Sequence, residues 1–238
     1  MERLDDLQLS GLKIWQDTER FCFGMDAVVL SGFVRVPKGA KVLDLGTGTG
    51  ILPLLLSAKT EASELTGLEI QHESALMAAR SVEQNGLSER IHIVEGDIKE
   101  AAALFGAASF SVIVSNPPYI AQDSGLHNPE DALAIARHEI LCVFADVARE
   151  SAAVLPHGGK LFLVHRPERL AELICTLREY RLEVKRLRFV HSFAEREPSM
   201  VLLEAAKEGR PGMKVEAPLI LYEREGVYSE EMKRDYGF

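Results

Sequence analysis

The sequence lacks the features that would staple a chain, anchor it in a membrane or give it a blanket charge. Its three cysteines, Cys22, Cys142 and Cys175, stand far apart with no CxxC pair. Such a set suggests neither a disulfide framework nor a zinc site and fits a reducing compartment. The longest apolar run, Ile51 to Leu56, falls far short of the roughly 20 residues that cross a bilayer. The start, Met1-Glu2-Arg3-Leu4-Asp5-Asp6, has no apolar stretch behind a basic one, so no secretory signal is expected and a cytoplasmic location is. His138-Glu139-Ile140-Leu141-Cys142 ends in cysteine where a zinc HExxH needs histidine, and the other histidines stand singly, so no metal is expected. Basic residues are outnumbered: 27 Lys+Arg against 36 Asp+Glu leave a net charge of −9. That balance excludes a protein that coats nucleic acid or a membrane by bulk charge, though not one with a basic patch on one face.

What is present is an alternation. The 238 residues suffice for one or two domains, and no linker or internal repeat divides them. From residue 41, short β-rich runs alternate with helical patterns. Strands are expected at Lys41–Leu45, Leu65–Ile70, Ile91–Val94, Phe110–Val114 and Lys160–Val164. Helices are expected at Gly50–Ser57, His72–Gln84 and Glu168–Tyr180, with a long amphipathic stretch from His138 to Val154. Right-handed βαβ crossovers and a mostly parallel sheet follow. Leu182–Val190 and Ser199–Ala205 have no helix between them, which predicts an antiparallel hairpin at the sheet edge. The chain reads as a single domain, with residues 1–40 capping a core at 41–205 and an extension at 206–238.

The chemistry gathers at strand ends. Asp44-Leu45-Gly46-Thr47-Gly48-Thr49-Gly50 links the first expected strand to its helix. Its glycines let backbone approach a ligand, and the helix start offers N–H groups. The spacing is neither the dinucleotide G-x-G-x-x-G nor a P-loop, and Asp44 suits a cationic ligand better than a pyrophosphate. The plainer alternative is a tight turn. Glu69 ends the next strand, where an acid can accept from a ribose diol or stand in solvent. Asp97, beside Ile98, follows the third strand and could accept from an adenine amine or cap a helix. After the fourth comes Ser115-Asn116-Pro117-Pro118-Tyr119-Ile120. Pro-Pro stiffens the turn, so the Asn116 amide and Pro117 carbonyl can both accept from one –NH2 group, and Tyr119 offers a stacking face.

Asp44-x-Gly46-x-Gly48-x-Gly50 together with Asn116-Pro117-Pro118-Tyr119 resembles the class I S-adenosylmethionine-dependent methyltransferases that alkylate planar –NH2 groups. The resemblance spans about residues 40–205. It implies an α/β, Rossmann-like fold with a seven-stranded, mostly parallel sheet and a C-terminal antiparallel hairpin. It assigns Asp44, Gly46, Thr47, Gly48 and Gly50 to the methionine part of S-adenosyl-L-methionine. Glu69 goes to the ribose, Asp97 and Ile98 to the adenine, and Asn116 to Tyr119 to the target amine. Asp26 could close over the cofactor or cap a helix.

Two branches share the tetrapeptide. Ile120 is common in glutamine N5-methyltransferases of release factors, but those carry an N-terminal helical domain for which 40 residues leave no room. Gln16, Phe21-x-Phe23-Gly24-Met25-Asp26-Ala27 and Ala136-Arg137-His138-Glu139 resemble instead bacterial enzymes acting on N6 of adenine 37 in a valine tRNA. Glu197 to Val201 and Tyr222 to Tyr228 fit the same branch. The resemblance thus implies tRNA as substrate, with Arg137 and His138 on a substrate loop, although a solvated helix start would explain them equally. The acid excess lies in residues 1–180, whereas 181–214 hold eight bases against five acids. Any tRNA is therefore expected to dock on the terminal hairpin through Arg186 and Arg188, with few phosphate contacts. A monomer is favoured over an oligomer.

Overall fold

The structure, a computed structural model, describes residues 1–17, 22–117 and 144–236. Five strands form the parallel part of the sheet: β3 (Lys41–Leu45), β4 (Glu64–Glu69), β5 (Ile91–Glu95), β6 (Val112–Ser115) and β7 (Lys160–His165). The chain moves outward from β3 to β4 and β5, then returns to lay β6 and β7 on the other flank of β3. The strand order therefore reverses at β3. Crevices outside the carboxyl ends of strands form at such points.

These strands read as short apolar runs because both faces are covered. Val42, Val112, Val114 and Phe162 pack on one side, and Leu43, Leu45, Ile113 and Leu163 on the other. Helices α1 (Met25–Phe33), α2 (Ile51–Lys59) and α3 (His72–Gln84) cover the first face. The short α4 (Ala101–Phe105), α5 (Phe144–Val154) and α6 (Leu170–Glu179) cover the second. Helix α3 matches its expected span. Ala75, Ala78 and Val82 recur along its buried stripe, and Gly86 with φ +65° ends it. Pro53 sits in the first turn of α2, where its missing N–H removes no helix bond. The expected helix at Glu168–Tyr180 is a 3₁₀ turn, Pro167–Arg169, leading into α6. Of the stretch 138–154, α5 is the described part.

The first 40 residues divide their work. Strands β1 (Glu2–Asp6) and β2 (Lys13–Asp17) pair as an antiparallel hairpin that rests on α3. Trp15 N donates to Ser81 Oγ at 3.0 Å, and Lys13 N donates to Asn85 Oδ1 at 2.9 Å. Helix α1 packs on α2 and on the sheet.

The terminal antiparallel hairpin forms at one flank of the sheet, as expected. Its strands are β8 (Leu182–His191) and β9 (Pro198–Lys207), and β9 is inserted antiparallel between β7 and β8. The outer side of β8 is covered by β10 (Lys214–Val215) and β11 (Leu219–Ile220), which protects an otherwise unpaired edge. Beyond them lie β12 (Tyr222–Arg224), β13 (Val227–Tyr228) and α7 (Glu230–Tyr236).

This arrangement corrects the expected docking role of Arg186 and Arg188. Arg186 is 7% exposed and sits 4.1 Å above the Phe33 ring. Its Nε donates to Glu204, its Nη2 to the Phe33 carbonyl at 2.7 Å, and its Nη1 to Glu216 at 3.3 Å. Arg188 donates to the Ala217 carbonyl at 2.9 Å and to Glu231 at 2.7 Å. Both guanidiniums tie the extension to the sheet, because charge counted along a strand says nothing about which residues the fold buries.

Candidate active site

Strands β5, β4, β3 and β6 end side by side, and each delivers a residue that the sequence singled out. The glycine loop after β3 is pinned to β4: Gly46 N and Thr47 N both donate to the Leu68 carbonyl, at 2.9 and 3.0 Å. Glu69, 6% exposed, accepts from Gly48 N at 2.8 Å and from Gln71 N at 2.9 Å. Its carboxylate therefore shapes the loop while keeping acceptor capacity in reserve. Gly46, Gly48 and Gly50 all have positive φ, +79°, +57° and +85°, a region that side chains rarely adopt. A Cβ on Gly50 would also come within 3.2 Å of Ala78 Cβ on α3.

A further glycine was missed by sequence reasoning. Gly67, in the middle of β4, leaves room for Thr47, whose side-chain atoms would lie 2.7–2.9 Å from an added Cβ. A glycine interrupting a strand pattern is the available signal for such a close approach.

Asp44 is the most unusual group in the loop. It is 2% exposed, and neither carboxyl oxygen completes a hydrogen bond among the described residues. The buried Thr47 hydroxyl beside it is likewise unpaired. Burial raises the Asp44 pKa to about 7; the nearby Thr47 hydroxyl opposes the rise and the Glu69 carboxylate adds to it. Buried polar groups left without partners are rare and costly, so two together mark a place prepared for a ligand.

Across the β3–β6 pairing, Ser115 Oγ donates to the Leu45 carbonyl at 2.9 Å and fixes the end of β6. The next residue, Asn116, has a buried Oδ1 that also lacks a partner among the described residues. Pro117 follows, half-buried. Pro118 and Tyr119 lie outside the described residues, as do Arg137 and His138.

The remaining acids are already engaged. Asp97 caps the 3₁₀ turn Ile98–Glu100 by accepting from Lys99 N at 2.9 Å, and Lys99 Nζ stands 3.4 Å from its other oxygen. Ile98 flanks the loop, its Cδ1 3.7 Å from where a Cβ of Gly46 would stand. Asp26, in the first turn of α1, accepts from Ala27 N at 2.8 Å. The described residues contain no group of three or more His, Cys, Asp or Glu side chains able to hold a metal. None of their helices is long and apolar enough to cross a membrane.

A glycine loop at the switch point of such a sheet, with an Asn-Pro turn beside it, defines the class of Rossmann-like methyltransferases. The family model of the methyltransferase small domain matches residues 27–187, and the chain belongs to that family. Among its relatives is the tRNA1(Val) (adenine(37)-N6)-methyltransferase of Porphyromonas gingivalis, 31% identical over 219 residues, which cover 89% of this chain and 85% of the relative. The Tolumonas auensis protein of the same description is 29% identical over 217 residues, 91% of this chain and 88% of its own. A solved structure described as a predicted O-methyltransferase, from Agrobacterium tumefaciens, is 25% identical with a TM-score of 0.73, covering 90% of this chain and 96% of that one. The P. horikoshii TYW2 in complex with MeSAdo, 13% identical with a TM-score of 0.61 over 87% of this chain and 72% of its own, shares the fold.

Proposed function

We propose that the protein transfers a methyl group from S-adenosylmethionine to the N6 amine of an adenine in tRNA, adenine 37 of a valine tRNA. One observation carries the reading. Asn116 Oδ1, Asp44 and Thr47 are buried polar groups without partners among the described residues, at two adjacent strand ends, so one side awaits an amine and the other a cation or donor. The names of the curated relatives supply the substrate class.

The residues fit the cofactor. Asp44, Thr47 and the backbone of Gly46, Gly48 and Gly50 would hold its methionine part, with Asp44 facing the positive charge. Glu69 would take the ribose hydroxyls with its remaining lone pairs. Asp97 and Ile98 would meet the adenine, and Asp26 would stand at the entrance. When bound, the cofactor supplies a methyl group on a positively charged sulfur.

The chain's own residues do the rest. The adenine N6 lone pair is delocalised into its ring, which makes the amine a poor nucleophile. Asn116 Oδ1 and the Pro117 carbonyl accept its two N–H bonds and favour a pyramidal nitrogen whose lone pair can attack. Pro117 and Pro118 keep the two acceptors fixed, and Tyr119 stacks on the flipped base. Given the methyl group that the cofactor supplies, this nitrogen would be an acidic cation able to lose its proton to water. No strong base is required, and positioning supplies most of the rate.

The test uses purified protein, donor labelled in the methyl group, and two acceptors: unmodified total tRNA and a release factor. Label recovered as N6-methyladenosine after tRNA digestion is the expected result. Label on a release-factor glutamine, or in a different nucleoside, would overturn the reading.

A further inference from the structure

Methyl transfer depends on how far the Asn-Pro turn stands from the glycine loop. We infer that Ser115, the last residue of β6, is the positioning residue that sets this separation. It acts through the Leu45–Gly46 peptide, and the inference rests on the methyl-transfer reading above.

The path is short. Strands β3 and β6 are in register from Val42 opposite Val112 to Asp44 opposite Val114. One residue on, the Ser115 hydroxyl donates to the Leu45 carbonyl at 2.9 Å. That carbonyl shares a rigid, planar peptide with Gly46 N, which donates to the Leu68 carbonyl at the end of β4, also at 2.9 Å. The peptide plane is therefore clamped from both flanks, by β6 on one side and β4 on the other. Asp44 immediately precedes this stretch, and Asn116 immediately follows Ser115. One side-chain hydrogen bond thus links the acid that faces the donor's positive charge to the acceptor that holds the amine.

The residue type suits the role. Val112, Ile113, Val114 and Ser115 are each 0% exposed. The first three are apolar, as a strand covered on both faces requires. The fourth carries a hydroxyl, which so dry a place tolerates only when it is partnered. An alanine would fill the position without that demand. What the hydroxyl adds is a fixed geometry. Transfer needs nitrogen, methyl carbon and sulfur in line, and a displacement of about 1 Å costs on the order of 10²-fold in rate.

Single-turnover transfer to unmodified tRNA, with enzyme saturated by both substrates, tests the inference in Ser115→Ala, Ser115→Thr and Ser57→Ala. Ser115→Ala is expected to slow transfer about 10- to 100-fold, with KM for tRNA and the S-adenosylmethionine dissociation constant within twofold of wild type. Ser115→Thr keeps the donor and should recover most of the rate. Ser57→Ala removes another buried hydroxyl-to-carbonyl bond, Ser57 Oγ to Leu54 at 2.7 Å in α2, and should transfer at the wild-type rate. A wild-type rate in Ser115→Ala would overturn the assignment. So would a loss confined to KM or to cofactor affinity, an equal loss in Ser57→Ala, or no recovery in a Ser115→Thr that melts as the wild type does. Wild-type label on a release-factor glutamine instead of tRNA would sink the adenine reading alone, and the same variants compared on that amine would decide the role of Ser115. A wild type that labels neither acceptor would sink both.

Discussion

Asp44 sets two demands against each other. In the free protein its carboxyl is buried with no hydrogen-bond partner among the described residues and holds its proton to about pH 7, where an unfolded aspartate releases it near 3.8. The folded state therefore binds more protons over that window. Stability conferred by the group is fully present below about pH 4 and is lost as pH rises toward 7, on the order of a few kcal/mol. Asp44→Asn is accordingly expected to raise the melting temperature of the free protein at pH 8 while weakening S-adenosylmethionine binding tenfold or more, about 1.4 kcal/mol. Melting curves at pH 5 and pH 8, with calorimetric titration of the cofactor, check both halves. A variant that melts lower at pH 8 would show that Asp44 has a structural partner after all. At this scale the sequence was readable where residues act together. Asp44, Glu69 and Asn116 come to adjacent strand ends as their spacing implied. Gly67 left a signal, a glycine inside a strand pattern, but its reason, the Thr47 side chain, comes from a loop some twenty residues away.

At the scale of elements, the glycine loop depends on β4 as much as on β3. Two backbone bonds to the Leu68 carbonyl and one to Glu69 hold it, and Gly67 gives Thr47 its space. Gly67→Ala should push Thr47 out of place and destabilise the protein by about 1–3 kcal/mol, with cofactor affinity falling in parallel. Denaturant midpoints and titration on the same preparation would check this; wild-type values for both would mean that the loop relaxes freely. Strands β3 to β7 were legible because burial on both faces leaves continuous apolar runs. The β1–β2 hairpin was not, since Glu2-Arg3-Leu4-Asp5-Asp6 is held by β2 and α3 and shows no apolar alternation. β10 to β13 escaped for a related reason: strands of two or three residues carry no period, and partners select them, the edge of β8 for β10 and β11, and each other for β12 and β13.

Over the whole molecule, the largest revision concerns charge. The basic hairpin resembled an RNA surface, but Arg186 joins α1, β9 and the Glu216 segment through the Phe33 carbonyl, Glu204 and Glu216. Arg186→Ala would leave Glu204 with Lys160, 3.1 Å away, and is expected to cost about 3–5 kcal/mol of stability. The salt dependence of tRNA binding should stay unchanged in the protein that remains folded, and a flattened slope would restore Arg186 to the RNA surface. The proposed function holds that a pair of acceptors at the end of β6 activates an amine next to the glycine loop. Single-turnover methyl transfer to unmodified tRNA by Asn116→Ala tests it most directly. The expected result is N6-methyladenosine formed by the wild type and a rate about 10²–10³ lower in the variant, with the cofactor dissociation constant within twofold. Transfer by Asn116→Ala at the wild-type rate would contradict it.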